Sequence, residues 1–356
     1  MTGWRDRRIL ELFGIEVPIL QAPMAGAQGS QLAVAVSEAG GLGALPCALL
    51  SPARMDAEMD AIRAATKKPV NVNFFCHAPP HADTARDAAW RAALRPAYEA
   101  LGLDPQMPLG DANRAPFDAT FCALVEKWRP EVVSFHFGLP ETALLERVRA
   151  TGAKIIASAT TVGEAVWLEQ RGCDAIIAQG YEAGGHRGIF LTNDVAMQPG
   201  TFALVPQVAD AVKVPVIAAG GIGESRGIAA AFVLGASAVQ MGTAYLFCPE
   251  SSISPLYRGA LAEARDDSTA LTNVFSGRPA RGIANKIVRE LGPLSPTAPE
   301  FPLAGAAIAP LRAASEQAGS TDYMQMWSGQ AARFGRAMPA GKLTKTLAAE
   351  TLALAR

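Results

Sequence analysis

Metal-ligand spacings, a surplus of basic residues, an apolar leader and an uninterrupted membrane-length apolar run are all missing from this sequence. The five cysteines (Cys47, Cys76, Cys122, Cys173, Cys248) are odd in number and scattered, with no Cys-x-x-Cys or Cys/His pattern. Structural zinc and a disulfide framework are therefore not expected; reduced thiols in the cytoplasm are. Lys plus Arg number 32 against 33 Asp plus Glu, a net charge of -1. That balance leaves nothing to hold a phosphate backbone, so nucleic acid is not an expected partner. The start, MTGWRDRRILELFG, carries charge at Arg5, Asp6, Arg7, Arg8 and Glu11 with no apolar stretch behind it, unlike a secretory leader. Gly227–Pro249 is uncharged, but Gly235, Ser237, Gln240, Gly242 and Thr243 interrupt it. It reads as a short helix, a turn and a strand, where a membrane span would need about 20 mainly apolar residues. G-x-S-x-G elbows, Walker loops and H-E-x-x-H are also absent. No carboxylates fall at strand ends in the patterns of metal-assisted proton abstraction or paired glycosidase acids.

What is present is apolar and punctuated. Half the chain, 50%, is hydrophobic and only 18% is charged, with 33 Gly and 25 Pro among 356 residues. Such a chain fills one large core or two smaller ones, which excludes intrinsic disorder. Strands are expected near Val17–Gln21, Gly43–Leu45, Pro69–Asn73, Val132–His136, Lys154–Ser158, Asp174–Gln179, Val214–Ala219 and Ala238–Met241. Most are continuous apolar runs, as in a parallel sheet buried on both faces. Helical patterns lie between them. Ser51-Pro52 opens one, with apolar returns at Met55, Met59 and Ile62, and Gly40-Gly41 ends another over Gln31–Ala39.

Five of the seven strand-to-strand steps are 20 to 26 residues, one compact βα unit each. Eight such units specify an α/β fold, a (β/α)8 TIM barrel, with an open doubly wound sheet as the structural alternative. The long step after residue 69 holds an insertion with helices near Ala82–Ala100 and Phe117–Trp128, whose role the sequence leaves open. The long step after residue 174 holds a glycine-rich loop, and long loops in compact domains are usually functional. Beyond Met241 the rhythm stops, and residues 249–356 read as a mostly helical addition.

Strand C-termini carry the site in such a barrel. Those ends supply Ala22-Pro23-Met24, Cys47, Asn73, His136, Ser158, Gln179, Gly220-Gly221 and Gln240-Met241-Gly242-Thr243. The small residues after strands seven and eight suit backbone N–H groups that approach a phosphate; tight βα turns explain either segment equally well alone. The loop QGYEAGGHRG (179–188) places His186 among four glycines, as a hydrogen-bonding group, base or imidazolium, or as a structural tie. His136 fits a core histidine or a substrate contact equally, while His77 and His81, around Pro79-Pro80, read as surface residues. A phosphate site with a lone histidine and few polar neighbours points to chemistry done by a cofactor.

In order along the chain stand QAPMAG (21–26), GGLGAL (40–45), VNVNFF (70–75), SFHFGLP (134–140) and AQGYEAGGHRG (178–188). PVIAAGGI (215–222), VQMGTA (239–244), FSGRPARGI (275–283) and MWSGQ (326–330) follow. Together they resemble the nitronate monooxygenases, FMN-dependent TIM-barrel flavoenzymes, over nearly the whole chain. The resemblance implies FMN at the barrel mouth, with Ala22, Pro23 and Met24 near the isoalloxazine and Asn73 and Gln179 at its polar edge. Gly184 would pack against the cofactor; Gly220, Gly221, Gln240, Met241, Gly242 and Thr243 would hold ribityl and phosphate. His186 matches the catalytic histidine, and His136, Tyr323 and Trp327 are expected in the substrate pocket. The implied reaction oxidises an alkyl nitronate such as propionate 3-nitronate with O2, giving a carbonyl compound and nitrite. Implied too are no metal, no membrane and a monomer or homodimer. Residues 1–248 with 325–356 would form the barrel and 249–324 a smaller, mostly helical substrate-covering domain.

Two enzymes look similar. The FMN-dependent enoyl-ACP reductase, using NAD(P)H, shares a Gly-Gly-His loop, yet only Arg187 and Arg226 lie near these loops to meet an acidic carrier protein. Inosine monophosphate dehydrogenase needs a nucleophilic cysteine where this chain has Tyr181. A flavin-binding module without turnover is the reading from outside enzymology.

Overall fold

The apolar runs form strands where a backbone N–H is there to pair. In the computed structural model, which describes residues 3–81, 83–110 and 114–354, these are β1 (Ile19–Gln21), β2 (Gly43–Pro46), β3 (Val70–Phe75), β4 (Val132–His136), β5 (Lys154–Ala159) and β6 (Ala175–Gln179). After them come β7 (Gly185–His186), β8 (Val216–Ala219), β9 (Ala238–Met241), β10 (Thr269–Thr272) and β11 (Ala280–Ile283). Four strands begin one or two residues later than the runs suggest, three of them just after a proline (Pro18, Pro69, Pro215) that has no N–H to donate. Ala82, expected to start the insertion helix, lies outside the described residues, as do Met1, Thr2, Ala355 and Arg356 at the ends of the expected barrel unit.

Eight strands pair in parallel in the order β1-β9-β8-β6-β5-β4-β3-β2. The ring closes between the last and first: Gln21 N–H donates to Leu42 O (2.9 Å) and Leu42 N–H to Ile19 O (3.1 Å). A buried amide clasp continues the closure. Ala44 N–H donates to Gln21 Oε1 (2.9 Å), and Gln28 Nε2 donates to Ala44 O (2.6 Å). The fold is a closed (β/α)8 barrel, as expected.

Successive strand residues point to opposite sides, and both sides are apolar. Val132, Ile156, Ile177 and Ile217 fill the barrel interior, closed below by Ile9, Leu10 and Phe13 of the helix Arg8–Phe13. Val133, Ile155, Ile176 and Val239 face the surrounding helices. The outer helices start as the sequence indicates: Ser51 Oγ accepts from Arg54 N–H, and Met55, Met59 and Ile62 are fully buried. The eighth helix of the ring arrives late. Ala340–Leu354 packs between Ser30–Glu38 and Ser225–Val233, where a helix directly after β9 would otherwise lie.

The expectation of a mostly helical addition needs amending. β10 and β11 form a hairpin, and β11 pairs antiparallel with β7, the very segment read from sequence as a loop. The addition is therefore stitched to the glycine-rich segment by backbone hydrogen bonds. The insertion joins it from the other side. Trp90, Leu94 and Tyr98 of the helix Thr84–Ala100 share a small core with Phe275, Ile287, Ile308 and Leu311. Trp90 Nε1 donates to Ala304 O (3.2 Å) and Tyr98 Oη to Ala307 O (2.7 Å).

Candidate active site

A cavity of about 460 Å³ opens at the C-terminal mouth of the barrel. Ile177 and Ala219, the top layer of the interior, form part of its floor. Strand ends supply Ala22, Pro23, Met24, Asn73, His136, Ser158 and Gln179 to its wall. The loops after β8 and β9 add Gly220, Gly221, Gln240, Gly242 and Thr243, and the return segment adds Trp327 and Gly329. A mouth position and a lining that mixes apolar side chains with convergent polar groups make this the candidate ligand site.

The loop after β6 is built around its glycines and one arginine. Gly184 has room for no side chain, since a Cβ there would lie 2.6 Å from Gly329 N and 2.7 Å from Ser328 C. Its smallness thus answers to the protein's own backbone. Arg187 is wholly buried and hydrogen-bonds to the carbonyls of Gly180 (3.1 Å) and Gly185 (2.9 Å), and also to that of Ala183, spreading its charge over the loop it holds. Gln179 completes the frame: its Nε2 donates to His186 O (3.0 Å) and its Oε1 accepts from Gly188 N–H (2.7 Å).

His186 sits on that frame inside an aromatic cage. The rings of Phe75, Phe137, Phe301 and Trp327 lie 5.2 to 6.0 Å from its own, all edge-on. Its Nε2 lies 2.8 Å from Ser276 Oγ and 3.5 Å from a guanidinium nitrogen of Arg114. Both contacts hold the Nε2 edge of the ring, toward Ser276 and Arg114. Burial and the positive charges of Arg114, Arg278 and Arg187, together with His136, push the imidazole well below its usual pKa. Burial and the surrounding positive charge both favour the neutral ring over the imidazolium.

His136 is a framework residue that also borders the cavity. Phe137 beside it holds φ at 70°, a left-handed conformation that is rare for a bulky residue and strained. That turn packs Phe137 at a tilt against His136 (4.6 Å between ring centres) and sets the phenyl ring under Arg278, whose guanidinium carbon is 4.0 Å from the ring centre.

Of the residues singled out in the sequence, fourteen besides His186 meet at this cavity: Ala22, Pro23, Met24, Asn73, His136, Ser158, Gln179, Gly184, Gly220, Gly221, Gln240, Gly242, Thr243 and Trp327. Met241 and Tyr323 are placed elsewhere. Met241 points into the core between strands and helices, and only its backbone serves the mouth, accepting from Ala22 N–H at 2.8 Å. Tyr323 packs in the small core beside Ile287 and Leu311. Its neighbour Trp327 does line the cavity. His77 is a correction: it is buried, its ring 4.8 Å from that of Phe301 and its Nε2 3.1 Å from Arg114 O, because the insertion folds back over the mouth. His81 is exposed, as expected.

Sequence reasoning missed Arg114, Ser276 and Phe301, which surround His186, and Tyr257, which lines the cavity. Ser276 sits inside FSGRPARGI, so that motif held the signal. Arg114 and Phe301 come from segments with no motif.

The comparisons with known proteins agree with this geometry. The family model described as nitronate monooxygenase matches residues 6–350. A nitronate monooxygenase of Pseudomonas aeruginosa is 43% identical over 345 residues, covering 96% of this chain and 98% of the relative. One from Paraburkholderia phytofirmans is 42% identical, covering 97% of this chain and 94% of its own. Among solved structures, nitroalkane oxidase from Streptomyces ansochromogenes superposes with a TM-score of 0.87 at 37% identity, covering 98% of this chain and 99% of that one. FabK from Thermotoga maritima is more distant, with a TM-score of 0.75 and 28% identity over 99% of this chain and 97% of its own. By fold, by site and by match along almost its entire length, this chain belongs to the nitronate monooxygenase family of flavin oxidoreductases.

Proposed function

We propose that this enzyme binds FMN over the barrel mouth and oxidises small alkyl nitronates of the propionate 3-nitronate kind with O2, to a carbonyl compound and nitrite. The observation that carries the reading is His186, neutral and poorly basic, on the wall of the cavity that the phosphate-type loops also line. A nitronate is already deprotonated and asks for a donor; a neutral nitroalkane would ask for a base, and His186 is a poor one.

The residues fit the cofactor. Gln240 Oε1 is buried at the cavity without a hydrogen-bond partner, an acceptor suited to a ribityl hydroxyl. At Gly242 a Cβ would meet only ordinary contacts, 3.5 Å from Ala22 and 3.6 Å from Met24, so packing within the protein does not demand glycine there. A phosphate approaching the backbone does. Gly220 and Gly221, at φ 115° and 69°, turn the loop after β8 in a way that side chains rarely adopt. Ala22, Pro23 and Met24 would face the isoalloxazine, with Asn73 and Gln179 at its polar edge. FMN, held by these residues, would supply the redox chemistry between the nitronate and O2.

The chain's own residues do the rest. His186 presents its ring N–H to the anionic nitro group, Phe75 and Trp327 exclude water, and Gln179 with His136 keeps the histidine in place. Residues 249–324, with the insertion helix packed on them, act as the cover over the substrate. No helix among the described residues is long and apolar enough to cross a membrane; we place the enzyme in the cytoplasm as a monomer or homodimer. The test is anaerobic mixing of the yellow protein with propionate 3-nitronate or with NADH. Bleaching of the flavin by the nitronate alone supports the reading, and bleaching by NADH alone transfers it to enoyl reduction.

A further inference from the structure

Three charged side chains line the cavity: Arg114, Arg312 and Glu316. Arg312 and Glu316 are exposed at its rim on the helix Ala304–Gln317, whereas Arg114 is half-buried and reaches His186. Among the described residues Arg114 forms no ion pair; its neighbours are the His186 ring, the face of Phe301 at 5.4 Å and the like charge of Arg312. A guanidinium withdrawn from water without a carboxylate is costly unless an anion completes it. The other arginines withdrawn from water are engaged elsewhere: Arg187 with loop carbonyls, Arg281 with Tyr181 O and Thr269 Oγ1, and Arg278 with Ile189 O and the Phe137 ring.

The geometry points to Arg114 as the fixed positive charge that binds the anionic substrate against His186, a function that the insertion between β3 and β4 brings to the site. The inference deepens the proposed nitronate chemistry and rests on it for the identity of the anion. It also divides the labour: Arg114 holds the charge and His186 orients the group. A planar, bidentate guanidinium matches a planar nitronate as it matches a carboxylate. Arg114 also bears on the histidine, since its charge is one of those holding the His186 pKa down, with Arg278, Arg187 and His136.

The test uses the FMN-loaded enzyme, with inorganic nitrate as a redox-inert planar anion followed by calorimetry and propionate 3-nitronate followed by turnover. In Arg114→Met, nitrate affinity falls and the nitronate KM rises, each about 10- to 100-fold, while kcat stays within about threefold and flavin content is unchanged. Arg114→Lys recovers part of both. The imidazole ionisation in the kcat/KM profile moves up in pH in Arg114→Met, which a merely structural role for Arg114 would not produce. Unchanged nitrate affinity and KM in Arg114→Met, or no nitrate binding by the wild type, overturns the proposal. Should Arg114→Met lose FMN, Arg114→Gln takes its place. If wild-type enzyme turns over no nitronate, the functional reading fails, and the nitrate titration still decides whether Arg114 is an anion site.

Discussion

His136 donates from Nε2 to the carbonyl oxygen of His186 across 3.1 Å, so one histidine sets the backbone of the other. Because a carbonyl only accepts, the proton of His136 is on Nε2, and Nδ1 accepts from Ser158 Oγ at 3.0 Å. Its pKa is pushed down to about 3, chiefly by burial, which keeps this tautomer neutral across the working range. The ring that looked from sequence like a core residue or a substrate contact is a support for the backbone of His186.

Removing that support has a bounded effect, because Gln179 Nε2 donates to the same carbonyl. His136→Phe is expected to keep its flavin and lose roughly 3- to 10-fold in kcat, the worth of one hydrogen bond. His136→Gln, which restores a donor, should recover most of the loss. Steady-state turnover normalised to bound flavin checks both.

His186→Asn retains a neutral side chain near the size of the imidazole but moves its donor. Turnover of the nitronate should fall at least about tenfold, a loss of about 1.4 kcal/mol or more in transition-state stabilisation, with FMN still bound. Unchanged turnover would take His186 out of the chemistry.

Acid should destabilise the fold through His136. Its folded pKa, about 3, lies below the unfolded value near 6.5, so protons bind the unfolded chain more tightly. The stability that this neutral ring confers is complete above about pH 6.5. It falls by up to about 1.4 kcal/mol per pH unit as pH drops from there towards 3. Urea midpoints between pH 7 and 4 should decline less steeply in His136→Gln than in wild type.

Glu182 is the fourth point of test. Its carboxylate accepts from Thr201 N–H (2.8 Å) and Thr201 Oγ1 (2.8 Å) at the start of the helix Thr201–Ala211, and its stem lies beneath Gly221. Glu182→Ala should cost about 1 to 2 kcal/mol, as for a lost N-cap, and lower Tm by about 2 to 4 °C. A thermal melt of the holoenzyme measures it.

Much of this architecture was legible because its causes are local. Continuous apolar runs with βα spacing bury both faces in a parallel sheet wrapped by helices, and Gly, Ser-Pro and Pro mark where its elements stop and start. The strand-end rule then brought most of the site together, since the residue after a barrel strand has few places to go. What escaped depends on distant pairings. β7 is two residues long and exists only because β11 lies beside it. Arg114 reaches the cavity because Trp90 and Tyr98, far from it in the chain, anchor the insertion to the helix Ala304–Gln317. Gly184 looked like a cofactor contact, while its tight neighbour is the backbone of Ser328 and Gly329. Tyr323 and Trp327 stand four residues apart in the same segment, yet only Trp327 borders the cavity.

The central claim is oxygen-dependent nitronate oxidation, and the most direct measurement is of O2 uptake with nitrite release by the purified, FMN-loaded enzyme given propionate 3-nitronate without any nicotinamide. The account predicts that O2 is consumed and nitrite appears together, in proportion to the nitronate added, with NADH alone producing neither. O2 uptake and nitrite release both absent with the nitronate, while NADH reduces the flavin, would contradict it.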